Sequence, residues 1–159
     1  MPCPCDGVSM DFAIRAARPE DIPGMTDLLA ELFRIEADFA PDVAKQIRGL
    51  SVLVAESPGR SCVLVAEQGG MIVGMATVQT LISTAEGGRV GLVEDVIVER
   101  KFRSMGIGTL LLDGIAAWSE RTGLKRLQLL ADRENLPALD FYTSRNWGIT
   151  RLICLRRRP

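Results

Sequence analysis

The sequence contains no histidine, and it has a single tyrosine, Tyr142, among 159 residues. The missing imidazole excludes Ser-His-Asp and Cys-His nucleophilic catalysis and every histidine-bearing metal site. Any proton transfer must therefore use carboxylates, Tyr142, lysines or water. Nor is there an excess of one charge sign: 19 Lys and Arg stand against 20 Asp and Glu, a net charge of −1. That balance leaves no electrostatic footprint for nucleic acid, and the short basic run Arg156, Arg157 and Arg158 reads as a solvated chain end. No apolar run approaches the roughly 20 residues that span a bilayer, and the N-terminus has neither a basic start nor an apolar h-region. The expected location is the cytoplasm, with no membrane partner. Cys3, Cys5, Cys62 and Cys154 do not form a zinc-like pair of pairs, so no metal is expected, and Cys62 and Cys154 lie in apolar runs where buried, reduced cysteine is common.

What is present is an ordinary globular composition, 47% hydrophobic and 25% charged, of a length that fits one domain with one sizeable core. Residues 1–11, rich in Pro, Cys and Gly, read as a loose leader, with Met10 as a possible second start, and residues 12–159 as the domain. "FAIRAA" alternates like a short strand. Pro19, Glu20 and Asp21 then signal a helix start, and Ile22, Met25, Leu28, Leu29, Leu32 and Phe33 recur at helical spacing. A weaker helix follows Pro41. Two β-branched runs joined at Gln68-Gly69-Gly70 predict a hairpin, and "RVGLVEDVIV" a strand covered on both faces. A long helix carries Ile107, Leu110, Leu111, Ile115 and Trp118 on one stripe and ends at Gly123. "RLQLLA" predicts a strand, Pro137 to Arg145 a short helix, and "ITRLICLRR" a last strand closing the sheet. The fold class is α/β: a single mixed, mostly antiparallel sheet of about six or seven strands flanked by about four helices.

Between "RVGLVEDVIV" and the long helix stands Arg103-Ser104-Met105-Gly106-Ile107-Gly108. Glycine costs roughly 0.5–1 kcal/mol relative to alanine within a helix, so two in a first turn require either a close approach or a special backbone angle. A Walker loop would need Gly-Lys-Ser/Thr, and a dinucleotide fingerprint a third glycine where Leu111 stands. Both fail. What remains is Arg/Gln-x-x-Gly-x-Gly/Ala after a strand and opening a helix, a place where bare backbone N–H groups and the helix dipole favour an anion.

Together with "IRAARPEDIPGMTDLL" and Asn135-x-Pro137-Ala138-x-x-Phe141-Tyr142, this loop resembles the GNAT superfamily of acyl-coenzyme A dependent N-acetyltransferases, over nearly the whole chain from Phe12. The resemblance implies acetyl-CoA as co-substrate and a small-molecule amine as acceptor. It assigns Val96, Ile97 and Val98 to the pantetheine arm, and Arg103, Ser104, Met105, Gly106, Ile107, Gly108 and Thr109 to the diphosphate. Asn135 would bond the pantetheine, or simply cap its helix, and Tyr142 would face the thioester sulfur. "LVEDVIVERKFRSMGIG" is similar to the spermidine/spermine and thialysine acetyltransferase branch, which places Glu36 on the acceptor side; Phe33 and Asp95 are further candidate substrate residues. Asn146 stands where the family has Gly before an aromatic, and Asn is the best non-glycine residue for a left-handed backbone.

The chemistry sets its own demands. An attacking amine must be neutral, yet an alkyl ammonium with a pKa near 10.4 is only about a thousandth deprotonated at pH 7. A base, direct or through water, is needed. Glu94 and Asp95 are the candidates, sent to opposite faces by strand alternation; the family position favours Glu94, with Asp95 or bulk water as alternatives. The expected activity is transfer of an acetyl group to a primary amine of a polyamine, amino acid or similar molecule by direct attack in a ternary complex. A non-catalytic acyl-CoA sensor and a protein or peptide N-acetyltransferase are the alternatives, and a homodimer fits either.

Overall fold

β-Branched, alternating runs pair into a single sheet in the computed structural model, which describes residues 12–36 and 38–159. The expected leader, including Cys3, Cys5 and Met10, lies outside the described residues. Strands β1 (Ala13–Ala16), β2 (Ser61–Gln68), β3 (Met71–Ser83), β4 (Gly88–Val98) and β5 (Leu127–Leu129) lie in the order β1-β2-β3-β4-β5. The first three pairings are antiparallel, and β4 runs parallel to β5. The hairpin turns at Gly69 and Gly70, both at positive φ. No helix among the described residues is long and apolar enough to cross a membrane.

Helices α1 (Ile22–Ile35) and α2 (Val43–Ala55) cover one face, and α3 (Ile107–Arg121) the other; α4 (Leu136–Thr143) follows β5. The α1 face buries Met25, Leu28, Leu29 and Leu50 against Val63, Val65, Met75 and Ile97. The α3 face buries Ile107, Leu111 and Ile115 against Val73, Ala76, Val78 and Val93. Apolar side chains thus leave water on both faces of β3 and β4, at about 25 cal/mol per Å² of area removed.

Four expectations need correction. Pro19–Asp21 forms a 3-10 turn, with Asp21 held by Arg15 at 2.7 Å, and the α-helix proper begins at Ile22. Along α3, Ile107, Leu111 and Ile115 hold the predicted stripe, but Leu110 is 44% exposed and Leu112 is buried in its place. The predicted last strand is absent: residues 148–159 adopt no regular structure, which leaves five strands instead of six or seven. Cys154, in that segment, is exposed, whereas Cys62 is part-buried and its thiol is pushed up to about 11 by burial.

Candidate active site

The site is built where β4 outruns its neighbour. Only Gly91, Leu92 and Val93 of β4 pair with β5, so from Glu94 to Val98 that edge has no strand beside it among the described residues. Glu99 N–H donates to Val73 O of β3 at 2.9 Å. Alternation then turns the peptide groups of Ile97 toward β3 and those of Val96 and Val98 to the open edge. Arg103 Nε, donating to Val98 O at 2.9 Å, uses one of them. Of the three residues assigned to the pantetheine arm, Val96 and Val98 therefore present their backbone there, while Ile97 is a core residue.

A bulge sits at the start of this edge. Val93 pairs with Val78 and Val96 with Ala76, so Thr77 alone opposes both Glu94 and Asp95. Simple alternation does not apply to this pair. Its effect is seen in the core: Val93 joins the α3 face and Ile97 the α1 face, although a spacing of four would otherwise put them together. Glu94 is exposed, whereas Asp95 is 9% exposed, accepts from Thr77 Oγ1 at 2.9 Å and returns its own N–H to that hydroxyl at 3.1 Å. Burial pushes the Asp95 carboxyl up to about 6, against the opposing Thr77 bond, and the Glu94 charge adds to the rise.

A cleft of about 50 Å³ opens at the divergence, lined by Leu32, Glu36, Glu94, Val96, Leu130, Ala131, Asp132, Asn135, Ala138 and Tyr142. It unites five of the predicted site residues, Glu36, Glu94, Val96, Asn135 and Tyr142. The Asn135 carbonyl oxygen caps α4 by accepting from Ala138 N–H at 3.2 Å, which leaves its amide donors for the cleft. Tyr142 stands edge-on to Phe141 and Trp147, and burial, reinforced by the Glu36 charge, pushes its hydroxyl up to about 12. The hydroxyl is thus a donor at any physiological pH.

Glu36 is the extended C-cap of α1, and Asp38 lies in the turn beyond. Half-burial raises the Glu36 pKa, helped by the charges of Asp95, Asp132, Glu94 and Asp38. Phe33 does not line the cleft; it packs on Phe39 with ring centroids 5.3 Å apart. Glu31 of α1 is bound by Arg103 at 2.6 Å. Asp132 went unnoticed in the sequence; its one signal was a carboxylate just past "RLQLLA" and three residues before Asn135.

The two loop glycines serve different needs. Gly106 is the N-cap of α3 at φ 83°, with open space where a Cβ would stand, so it is required for its backbone angle. Gly108 is the close approach: a Cβ there would meet Phe141 Cζ of α4 at 3.0 Å. Ser104 also sits at positive φ, 64°. This loop ends in the first amides of α3, a concavity of N–H donors with no side-chain cap. Ile107 is 1% exposed and offers only its backbone, Met105 is 41% exposed, and Thr109 Oγ1 accepts from Arg145 Nε at 2.9 Å. The loop residues fit a diphosphate through main-chain groups. Asn146 takes the left-handed angle expected of it, φ 64°. A second hollow, of about 480 Å³, lies elsewhere, between α2 and α3 at the β1–β2 edge, and holds none of these groups.

A family model described as "Acetyltransferase (GNAT) family" matches residues 23–148. The chain belongs to the GNAT acetyltransferase family. Solved structures share its fold. A possible acetyltransferase from Clostridium difficile 630 is 18% identical, with 93% of this chain and 97% of that one covered and a TM-score of 0.80. Glucosamine-6-phosphate N-acetyltransferase from Arabidopsis thaliana is 19% identical over 92% and 98%, with a TM-score of 0.74. An aminoglycoside N-acetyltransferase in complex with coenzyme A is 14% identical over 96% and 97%, with a TM-score of 0.81. This GNAT protein is an acetyltransferase, which sets aside the reading as a non-catalytic sensor.

Proposed function

We propose that this GNAT acetyltransferase transfers the acetyl group of acetyl-CoA to a primary amine of a small, multiply charged cation in the cytoplasm, a polyamine foremost, as the resemblance to the spermidine/spermine branch suggests. The observation that carries the reading is the convergence of Glu36, Glu94 and Asp132 with Asn135 and Tyr142 on one cleft, and of Asp95 behind it. Carboxylates gathered this way repel one another, and an acceptor bearing several ammonium groups relieves that repulsion. An aminoglycoside, the acceptor class named for one structural neighbour, has the same charge pattern.

Acetyl-CoA supplies a thioester carbonyl activated for attack. The loop from Arg103 to Thr109 holds the diphosphate through its amides, with the Arg103 side chain bracing the loop to Glu31 and Val98 O. Val96 and Val98 bond the pantetheine from the open edge. Glu94, exposed in the cleft, receives the ammonium proton through water; the neutral amine attacks the thioester carbon, the C–S bond breaks, and the second proton shed by the new amide nitrogen passes to the departing thiolate, which leaves as the free thiol. Tyr142 donates to the departing sulfur; with its pKa raised by burial it is a poor proton source, so its contribution is a hydrogen bond to developing charge.

Glu94→Gln tests this reading. Turnover near neutral pH should fall, the rate should level off at higher pH, and coenzyme affinity should be unchanged. Free-thiol release with spermidine, an aminoglycoside and an amino sugar bearing a single amine as acceptors reads both base and substrate class. An unaltered pH profile would move the base to Asp95 or water, and preference for the single-amine sugar would refute the multiply charged acceptor.

A further inference from the structure

The bulge opposite Thr77 decides which groups of β4 reach the cleft. Counted on from Val93 by plain alternation, Val96 and Val98 would turn their peptide groups to β3 and Ile97 would hold the open edge. The extra residue reverses this. Side chains record the same shift: Val93 and Val96 pack in one cluster on the α3 face although three residues apart, while Ile97 packs on the α1 face.

An inserted residue disturbs the hydrogen-bond ladder, so its polar groups need support from outside the ladder. Thr77 supplies it. Its side chain is fully buried, donates to Asp95 Oδ2 at 2.9 Å and accepts the Asp95 N–H at 3.1 Å. A hydroxyl does both from a single atom; valine, of the same shape, can do neither. Thr77 is itself fixed from the other side. It stands opposite Val63 of β2 in regular register, and Val63 O accepts from the Ala17 N–H just past β1 at 2.9 Å.

We infer that Thr77 is a positioning residue for the transfer: through the bulge, its hydroxyl directs Glu94 into the cleft and the backbone of Val96 and Val98 to the open edge. The inference rests on the roles proposed above for those three residues. Thr77 is not among the residues that line the cleft, so it acts only through β4. Without the hydroxyl, the Asp95 N–H and carboxylate are buried without that partner, and β4 relieves the cost by moving or losing the bulge. A slip of one residue then exchanges the groups presented at the edge.

The experiment compares Thr77→Val and Thr77→Ser with wild type by acetyl-CoA titration, steady-state thiol release with spermidine, and melting curves. Well below its melting transition, Thr77→Val should bind acetyl-CoA about tenfold more weakly and turn over about ten- to a hundredfold more slowly. Thr77→Ser keeps the hydroxyl and should stay close to wild type in both. A role confined to stability would lower the melting temperature of Thr77→Val and leave affinity and turnover alone. If Thr77→Val does not fold, the same comparison is made with Thr77→Val combined with Asp95→Asn, which buries no unpaired carboxylate, against Asp95→Asn alone. A folded Thr77→Val protein with wild-type affinity and turnover would overturn the inference, and so would Thr77→Ser as impaired as Thr77→Val. Coenzyme affinity does not draw on Glu94. Affinity lost in Thr77→Val beside an unaffected Glu94→Gln would therefore remove the base assignment and leave the positioning of Val96 and Val98 in place.

Discussion

The Thr77 hydroxyl donates to Asp95 Oδ2 at 2.9 Å and accepts the Asp95 N–H at 3.1 Å, closing the bulge that opens β4 into the cleft. The carboxyl this bond holds is buried, with its pKa raised from 3.8 to about 6. Between those values the folded protein keeps a proton that the unfolded chain has lost. Stability is therefore fully present below pH 3.8 and declines as pH rises through 6, by roughly 3 kcal/mol. Asp95→Asn can still accept the Thr77 bond and carries no charge. It should match wild type in stability at pH 4 and exceed it at pH 8, in urea titrations at the two values. A wild type that gains stability over Asp95→Asn as pH rises would show the carboxylate to be stabilised by its surroundings.

This bulge shows where the sequence stops being legible. An extra residue in β4 is defined only against Thr77 of β3, so "VEDV" on its own reads as plain alternation. The hairpin, the α1 stripe from Met25 to Leu32 and the strand–loop–helix around Gly106 were legible because their signals are local periodicity and turn chemistry. The failed last strand differs: "ITRLICLRR" has strand character, but a strand exists only with a partner edge, which no local pattern supplies. Likewise, the sequence showed that Gly106 and Gly108 needed a reason, yet not that Phe141, far along the chain, supplies the second.

That difference predicts distinguishable behaviour for two alanine substitutions. Gly106→Ala forces a Cβ onto a left-handed backbone without touching a neighbour, and should destabilise by about 1–2 kcal/mol. Gly108→Ala pushes against the Phe141 ring, which carries Arg145 4.0 Å away and adjoins Tyr142. It should lower turnover as well as stability, and Phe141→Leu added to it should restore part of both. Thermal melts with thiol-release assays on the three variants read this. Equal losses in both single variants, with no rescue, would assign the two glycines one role.

Gln46 of α2 is buried at 7% exposure, and neither side-chain polar atom has a hydrogen-bond partner among the described residues. An unpaired buried amide costs about 1–3 kcal/mol. Gln46→Met keeps the length of the side chain and removes both polar atoms, so it should stabilise the protein by about 1 kcal/mol or more with turnover unchanged. Denaturant midpoints at constant m-value measure it. A destabilised Gln46→Met would mean that the amide is satisfied in solution.

Tyr142→Phe separates a packing role from a catalytic one. The ring already packs edge-on against Phe141 and Trp147, and phenylalanine keeps both contacts. A hydroxyl that only completes the fold would be worth about 0.5–1.5 kcal/mol of stability, with no effect on rate beyond that. Burial keeps this hydroxyl protonated to about pH 12, so its state does not change across the working range, and its hydrogen bond becomes strongest only when negative charge grows on the leaving sulfur. An interaction confined to the transition state lowers turnover without weakening the ground-state complex. Turnover should accordingly fall about ten- to a thousandfold, with acetyl-CoA affinity nearly intact, a cooperative melt and a pH–rate profile of unchanged shape. Steady-state thiol release, coenzyme titration and a melting curve on one preparation distinguish the cases. Turnover equal to wild type would end the catalytic assignment and leave Tyr142 as a wall of the cleft.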